Sequence, residues 1–189
     1  MLSIKELIDT GIFTALMFLI CVLVMPIGFL PILMPLYCVF IPFFCAIPWI
    51  VFSLRNKKFG PVLLMSILLG LLLLFTGMGI WSLPVCVLGG VISEIIRKKG
   101  NYTSLTSHVI AHGFFSLWVF GSFIPLIFFA DSYWSEHQEY GSEFIADTQF
   151  FTMFGIAPCL IASCIIFGIL GGFVAKALVK KHFRKAGII

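Results

Sequence analysis

Apolar side chains run almost unbroken through six stretches of this chain, at about 7–25, 31–54, 60–76, 79–97, 105–130 and 152–179, and the polar residues gather between them. Each stretch approaches the roughly 20 residues that an α-helix needs to cross a hydrocarbon core about 30 Å thick. Backbone polar groups in lipid must be satisfied within the segment, so runs of this kind fold as helices. The pattern predicts an all-α integral membrane protein with six transmembrane helices in a single transmembrane domain, residues 1–189. The first run reads as a retained span rather than a signal peptide: only Lys5 is basic before it, it is longer than a signal core, and no small-residue cleavage site follows Met25-Pro26. The second carries Pro31, Pro35, Pro42 and Pro48, each of which removes a backbone donor. It is either a kinked span packed on its neighbours or two short pieces beside a ligand cavity. No internal repeat is visible, which counts against transporters built from two equivalent halves.

Charge adds orientation. The twelve Lys and Arg residues are Lys5, Arg55, Lys57, Lys58, Arg97, Lys98, Lys99, Lys176, Lys180, Lys181, Arg184 and Lys185, and six crossings put every one on the same side. By the positive-inside rule that side is the cytoplasm, with both termini there. The other side receives the turn at Pro26–Pro31, the turn at Thr76–Gly79, and a long segment, 131–149, that holds Asp131, Glu136, Glu139, Glu143 and Asp147 but no Lys or Arg. An odd number of spans would mix the two sets.

Composition agrees: 61% of residues are hydrophobic and 11% charged, with a mean hydropathy of +1.15, against about 25% charged in a soluble domain. A water-soluble fold is excluded. Cys21, Cys38, Cys45, Cys86, Cys159 and Cys164 lie in or beside apolar runs without a CxxC pair, and read as small buried hydrophobes.

Few motifs carry chemistry. There is no Walker loop, GxSxG or paired-acid signature, so neither ATP hydrolysis by this chain nor another enzymatic activity is expected. No cofactor and no nucleic-acid partner is expected either. Small residues at helical spacing, Gly11 and Ala15 in span one, Gly89 and Gly90 in span four, and Gly168, Gly171 and Gly172 in span six, mark faces where helix backbones approach closely. Glu94 stands one turn from Arg97 and Lys98, the spacing of an ion pair at the membrane surface. His108 and His112 share one face of span five, either bonded to neighbouring helices or as two ligands for a metal or tetrapyrrole. The outer segment gathers Tyr133, Trp134, His137 and Tyr140 among acids. It forms either an aromatic belt at headgroup level or a lid over an outward pocket, to which Trp81 and Trp118 would add flat apolar wall. These six are the candidate substrate contacts.

The segment Gly89-Gly-Val-Ile-Ser-Glu-Ile-Ile-Arg-Lys-Lys-Gly-Asn-Tyr102, the Gly11/Ala15 face and the six-span size resemble the substrate-binding S components of energy-coupling-factor (ECF) transporters, within the Trep_Strep (MptD-like) group of small bacterial membrane proteins. The resemblance implies a multi-pass protein of the bacterial cell membrane that captures a micronutrient outside and delivers it through a shared T subunit coupled to two ATPase subunits. Gly11 and Ala15 would then dock the T subunit, and the S component would topple in the bilayer to release its cargo. In better-known members the connection between spans one and two is a substantial gating loop. Here it is a proline-flanked turn, and the long loop between spans five and six is the alternative gate.

Overall fold

Two caps set the ends of the first helical pair. Ser3 Oγ accepts from the Glu6 N–H while the Glu6 carboxylate accepts from the Ser3 N–H, a reciprocal capping box that starts α1 (Ile4–Val24). Gly60, at φ 117°, and Pro61 at the first helical position start α3 (Pro61–Phe75). In the computed structural model, which describes residues 2–76, 80–179 and 181, every regular element is helical. The others are α2 (Tyr37–Arg55), α4 (Ser82–Lys99), α5 (Leu105–Phe115), α6 (Trp118–Gly121), α7 (Ile124–Phe128), α8 (Ala130–Glu136), α9 (Ser142–Asp147) and α10 (Ile156–Leu178). Three stretches, Ile4–Phe29, Pro31–Arg55 and Ile156–Leu178, are long and apolar enough to cross a membrane, and Pro61–Phe75 is a shorter apolar helix. Residues 77–79 of the expected outer turn, and Lys180, Arg184 and Lys185, lie outside the described residues.

The helices follow the apolar runs, with three corrections. The second run does not begin as an α-helix: Pro26, Pro31 and Pro35 turn Met25–Phe29 and Pro31–Leu36 into 3-10 turns, and α2 starts only at Tyr37. The fifth run is not one rod. It divides into α5, α6 and α7 at Ser116-Leu117 and Ser122-Phe123, where Ser116 Oγ donates back to the His112 carbonyl at 2.8 Å and Pro125 lacks a donor. The segment at 131–149 is not an open loop but folds into α8, α9 and two 3-10 turns.

α10 packs on α2 and α5, and α4 on α3 and α5. The glycines of both faces are closed by neighbouring helices, mostly by backbone and at Gly90 by the Ser66 side chain. A Cβ on Gly171 would come within 2.5 Å of the Phe43 carbonyl, and one on Gly89 within 3.0 Å of the Phe114 carbonyl. Gly11 differs: nothing lies within 4 Å of a Cβ built there, and both it and Ala15 are exposed. The small face of α1 is therefore not used by this bundle.

The same face of α4 that carries Gly89, Gly90 and Ser93 ends in Glu94 and Arg97, both with no side-chain exposure and paired at 3.2 Å. The expected surface ion pair is thus a buried one. Its second carboxylate oxygen accepts from the N–H groups of Gly60 (2.8 Å) and Val62 (3.0 Å), the orphan donors at the start of α3. Arg97 Nη2 donates to the Ser53 (3.2 Å) and Asn56 carbonyls at the end of α2. Asn101 and Tyr102 both take left-handed φ, 49° and 55°, which returns the chain so that Tyr102 N–H meets the Arg97 carbonyl at 3.0 Å. The Tyr102 ring centroid then lies 5.4 Å from the guanidinium carbon. Outside this knot, Arg55 pairs with Asp9 at 3.1 Å and Lys58 with Glu6 at 2.6 Å.

These contacts bring the start of α1, the α2–α3 connection and the end of α4 to one end of the bundle. Lys176 Nζ donates to Thr106 Oγ1 at 3.2 Å, which adds the end of α10. The acidic segment stands at the other end, where Trp81 at the start of α4 stacks on Phe129 at the end of α7, 5.4 Å apart and 6° from parallel.

Arg97→Ala leaves Glu94 as an uncompensated buried carboxylate and unties the end of α2, a loss of about 3–5 kcal/mol. A thermal melt of the purified protein in detergent is expected to show a collapse of stability for Arg97→Ala that Arg97→Lys does not repair, because an ammonium cannot reach two carbonyls and a carboxylate in the geometry of the guanidinium fork.

Candidate functional site

At the acidic end the helices do not close on one another. The 3-10 turns after α1 hold a wall of Met25, Pro26, Gly28, Phe29 and Met34, to which α2 adds Tyr37. The joint between α6 and α7 supplies Ser122 and Phe123, and α7 Leu126. α8, the following turn and α9 cross above with Tyr133, Trp134, Tyr140 and Phe144. The cavity between them, open on part of its surface, measures about 380 Å³, in the range of a small-molecule site. Among the described residues no charged side chain lines it.

Tyr37 fixes the inner wall. Its hydroxyl donates to the Met25 carbonyl at 2.5 Å and lies directly on Gly28, where a Cβ would coincide with it. Its ring meets Phe123 at 6.3 Å. Below, a void of about 40 Å³ separates Tyr37 and Phe123 from Trp118.

The lid is an aromatic stack. His137 lies on Tyr133 with ring centroids 4.2 Å apart and 19° between planes, and its Nδ1–H donates to the Tyr133 carbonyl at 2.7 Å. Trp134 meets Tyr133 (4.9 Å), Tyr140 (5.8 Å) and Phe144 (6.1 Å) edge to face. Burial pushes the Tyr133 phenol above its ordinary range, with Tyr140 and the charge of Glu139 adding to the shift, so it stays a neutral donor at physiological pH. Among the described residues, the Tyr133 and Tyr140 hydroxyls and the Trp134 indole N–H donate to no other group of the chain. Across Trp134 lies a more polar recess of about 390 Å³, lined by Asp131, Ser135, Gln138, Thr148 and Gln149 among others.

Of the six residues singled out from the sequence, Tyr133, Trp134 and Tyr140 line the main cavity. His137 stands behind Tyr133 as its stacking partner. Trp118 lies one layer deeper, buried beside the small void, and Trp81 is 40% exposed against Phe129, outside the cavity wall. Tyr37, Phe123 and Phe144 were not singled out. The usable signal for Tyr37 was a tyrosine opening a proline-rich apolar run, a hydroxyl that needs a partner in lipid.

The model of a family described as hypothetical bacterial integral membrane protein (Trep_Strep) matches residues 4–185. The chain belongs to this family. No curated protein and no solved structure matches it. In this Trep_Strep chain the matched stretch takes in the Glu94–Arg97 knot, the cavity and the lid.

The histidine pair of the Trep_Strep chain lies elsewhere, deep in the bundle. His112 Nε2–H donates to the Pro42 carbonyl at 2.8 Å, which commits that nitrogen to α2. Trp49, fully buried and also missed in the sequence, fills the space between α2 and α5: its Nε1–H donates to the His108 carbonyl at 2.9 Å, and its ring lies 5.4 Å from that of His112. His112 Nδ1 and both His108 ring nitrogens are buried without a partner. Among the described residues no group of three or more His, Cys, Asp or Glu is placed to hold a metal ion. All six cysteines are free, and all but Cys159 are buried.

Tyr37→Phe removes the hydroxyl bond to Met25 at a cost of about 1 kcal/mol. Gly28→Ala is expected to cost more, because the Tyr37 ring must leave the wall, and adding Tyr37→Phe to Gly28→Ala should recover part of that loss; melting curves of the two single variants and the double variant measure all three.

Proposed function

We propose that this chain is the substrate-binding S subunit of an ECF importer, crossing the bacterial cell membrane six times with both termini in the cytoplasm. In this reading it is a capture and delivery subunit, not an enzyme. The observation that carries it is the aromatic cavity under a folded lid at the end opposite the cations, since by the positive-inside rule that end faces outward. The gate is then double: the lid over 131–149 forms one side, and the proline turns after α1 supply the other.

Two features fit delivery to a partner. The chain carries no phosphate-binding loop, so the energy must come from elsewhere. The Gly11/Ala15 face of α1 is left uncovered among exposed Ile8, Ile12 and Leu19, a surface on which the T subunit helix can pack closely. Expressed with the T subunit and both ATPase subunits, the chain should co-purify with them, and its deletion should abolish uptake of the cargo. Gly11→Leu should break the association while leaving the melting temperature of the isolated protein unchanged, since no neighbour fills that space. Isolation without an ATPase pair, together with normal uptake after deletion, would remove the proposal.

A second reading rests on one observation, the unpartnered ring nitrogens of His108: a metal or tetrapyrrole held by His108 and His112. It requires metal or pigment to remain in the purified protein and to be lost in His108→Ala. A preparation free of both, with elemental analysis unaffected by the substitution, sinks it.

A further inference from the structure

The charge around the cavity is one-sided. Asp131, Glu136, Glu139, Glu143 and Asp147 lie exposed on α8, α9 and the turn between, the segment whose Tyr133, Trp134, Tyr140 and Phe144 line the cavity; Glu139 directly precedes Tyr140 and Glu143 precedes Phe144, and among the described residues none of the five forms an ion pair. No Lys or Arg occurs between residues 100 and 175, so His137, stacked on Tyr133, is the one side chain of the lid segment able to carry positive charge. Glu139 adjoins the cavity-lining Tyr140 in the chain, and Asp131 lines the recess on the far side of Trp134. The wall itself is built of ring faces, which carry negative quadrupole charge, and of hydroxyls that can accept a hydrogen bond. An anion entering here would leave water with no cation on the wall to meet it and with the carboxylates of Glu139 and Glu143 beside the lining residues Tyr140 and Phe144. A cation gains from the rings and from the field of the acids together.

Deepening the capture role proposed above, we infer that the cavity selects a compact ring-bearing organic cation, its ring between Tyr37, Phe123 and Trp134 and its charged group against Tyr133 and Tyr140 toward Glu139. The volume of about 380 Å³ holds one such molecule and excludes large macrocycles.

The test uses the purified full chain in detergent and three probes of matched shape: benzyltrimethylammonium, benzyl alcohol and phenylacetate, with affinities read by calorimetry. The ammonium is expected to bind about tenfold or more tighter than the alcohol, and phenylacetate weakest. Glu139→Gln, an exposed position whose change leaves the fold intact, should weaken the ammonium severalfold and leave the alcohol unchanged, whereas Trp134→Ala should weaken both. Phenylacetate binding as tightly as the ammonium overturns the inference, as does an ammonium preference untouched by both substitutions, which would put the cation elsewhere. Coupling partners do not enter this measurement: cation selectivity without an ATPase partner leaves the inference standing and removes the S-subunit reading, while ATPase-coupled uptake of an anion does the reverse.

Discussion

The bundle depends on one buried charge pair serving as a joint for three helices. Glu94 and Arg97 have lost all contact with solvent, a transfer that costs several kcal/mol per ion unless every remaining lone pair and proton is used. Here the carboxylate closes the free N–H groups at the start of α3 and both terminal nitrogens of the guanidinium are bonded, Nη1 to Glu94 and Nη2 to the free carbonyls at the end of α2, which leaves Nε as the buried donor without a partner. Those backbone groups would otherwise be orphans near a lipid boundary, where water cannot be counted on. The pair therefore solves two problems at once, and the Tyr102 ring and the left-handed turn beneath it complete the enclosure.

Around that joint the helices pack in two ways. On α4 and α10, glycines bring backbones together so closely that a single methyl group would force a shift, the kind of contact that substitutes for the hydrophobic effect in lipid. On α1 the small residues do not perform this task, and an apolar flank of Ile8, Ile12, Leu16 and Leu19 stays uncovered. The end with the joint is knit by ion pairs and caps, whereas the opposite end is left open and filled by rings.

How much of this could be read from the chain alone varies with what carries the information. Helix positions were legible because unbroken apolar runs leave a lipid-embedded backbone no other form. The division of residues 105–130 into three pieces was not, since Ser116 and Ser122 interrupt the helix without interrupting its hydropathy. The spacing of Glu94 and Arg97 announced an ion pair. Its burial stayed hidden, because the partners are peptide groups of Gly60, Val62, Ser53 and Asn56, which any residue would supply. At the cavity, the lid aromatics stood out against a polar background. Tyr37 and Phe123 did not, because in an apolar span a residue facing a void and one facing a core look alike. Trp81 and Trp118, which stand outside the lining of the main cavity, show the same ambiguity: their large apolar area suits stacking on Phe129 or filling the interior as well as it suits a cavity wall.

The segmentation of α5, α6 and α7 has a mechanical consequence. One side of the cavity is backed by long rods, α1 and α2, whose far ends are tied by Asp9–Arg55 and by the Arg97 joint. The other side hangs on α6 and α7, rods of four and five residues with flexure points at Ser116-Leu117 and Ser122-Phe123. Such a vessel has one fixed jaw and one articulated jaw. Any change in the width of the cavity is therefore expected at Ser122, Phe123 and the roof above them rather than on the Tyr37 wall, whose hydroxyl is anchored on Met25, or at the tied end of the bundle.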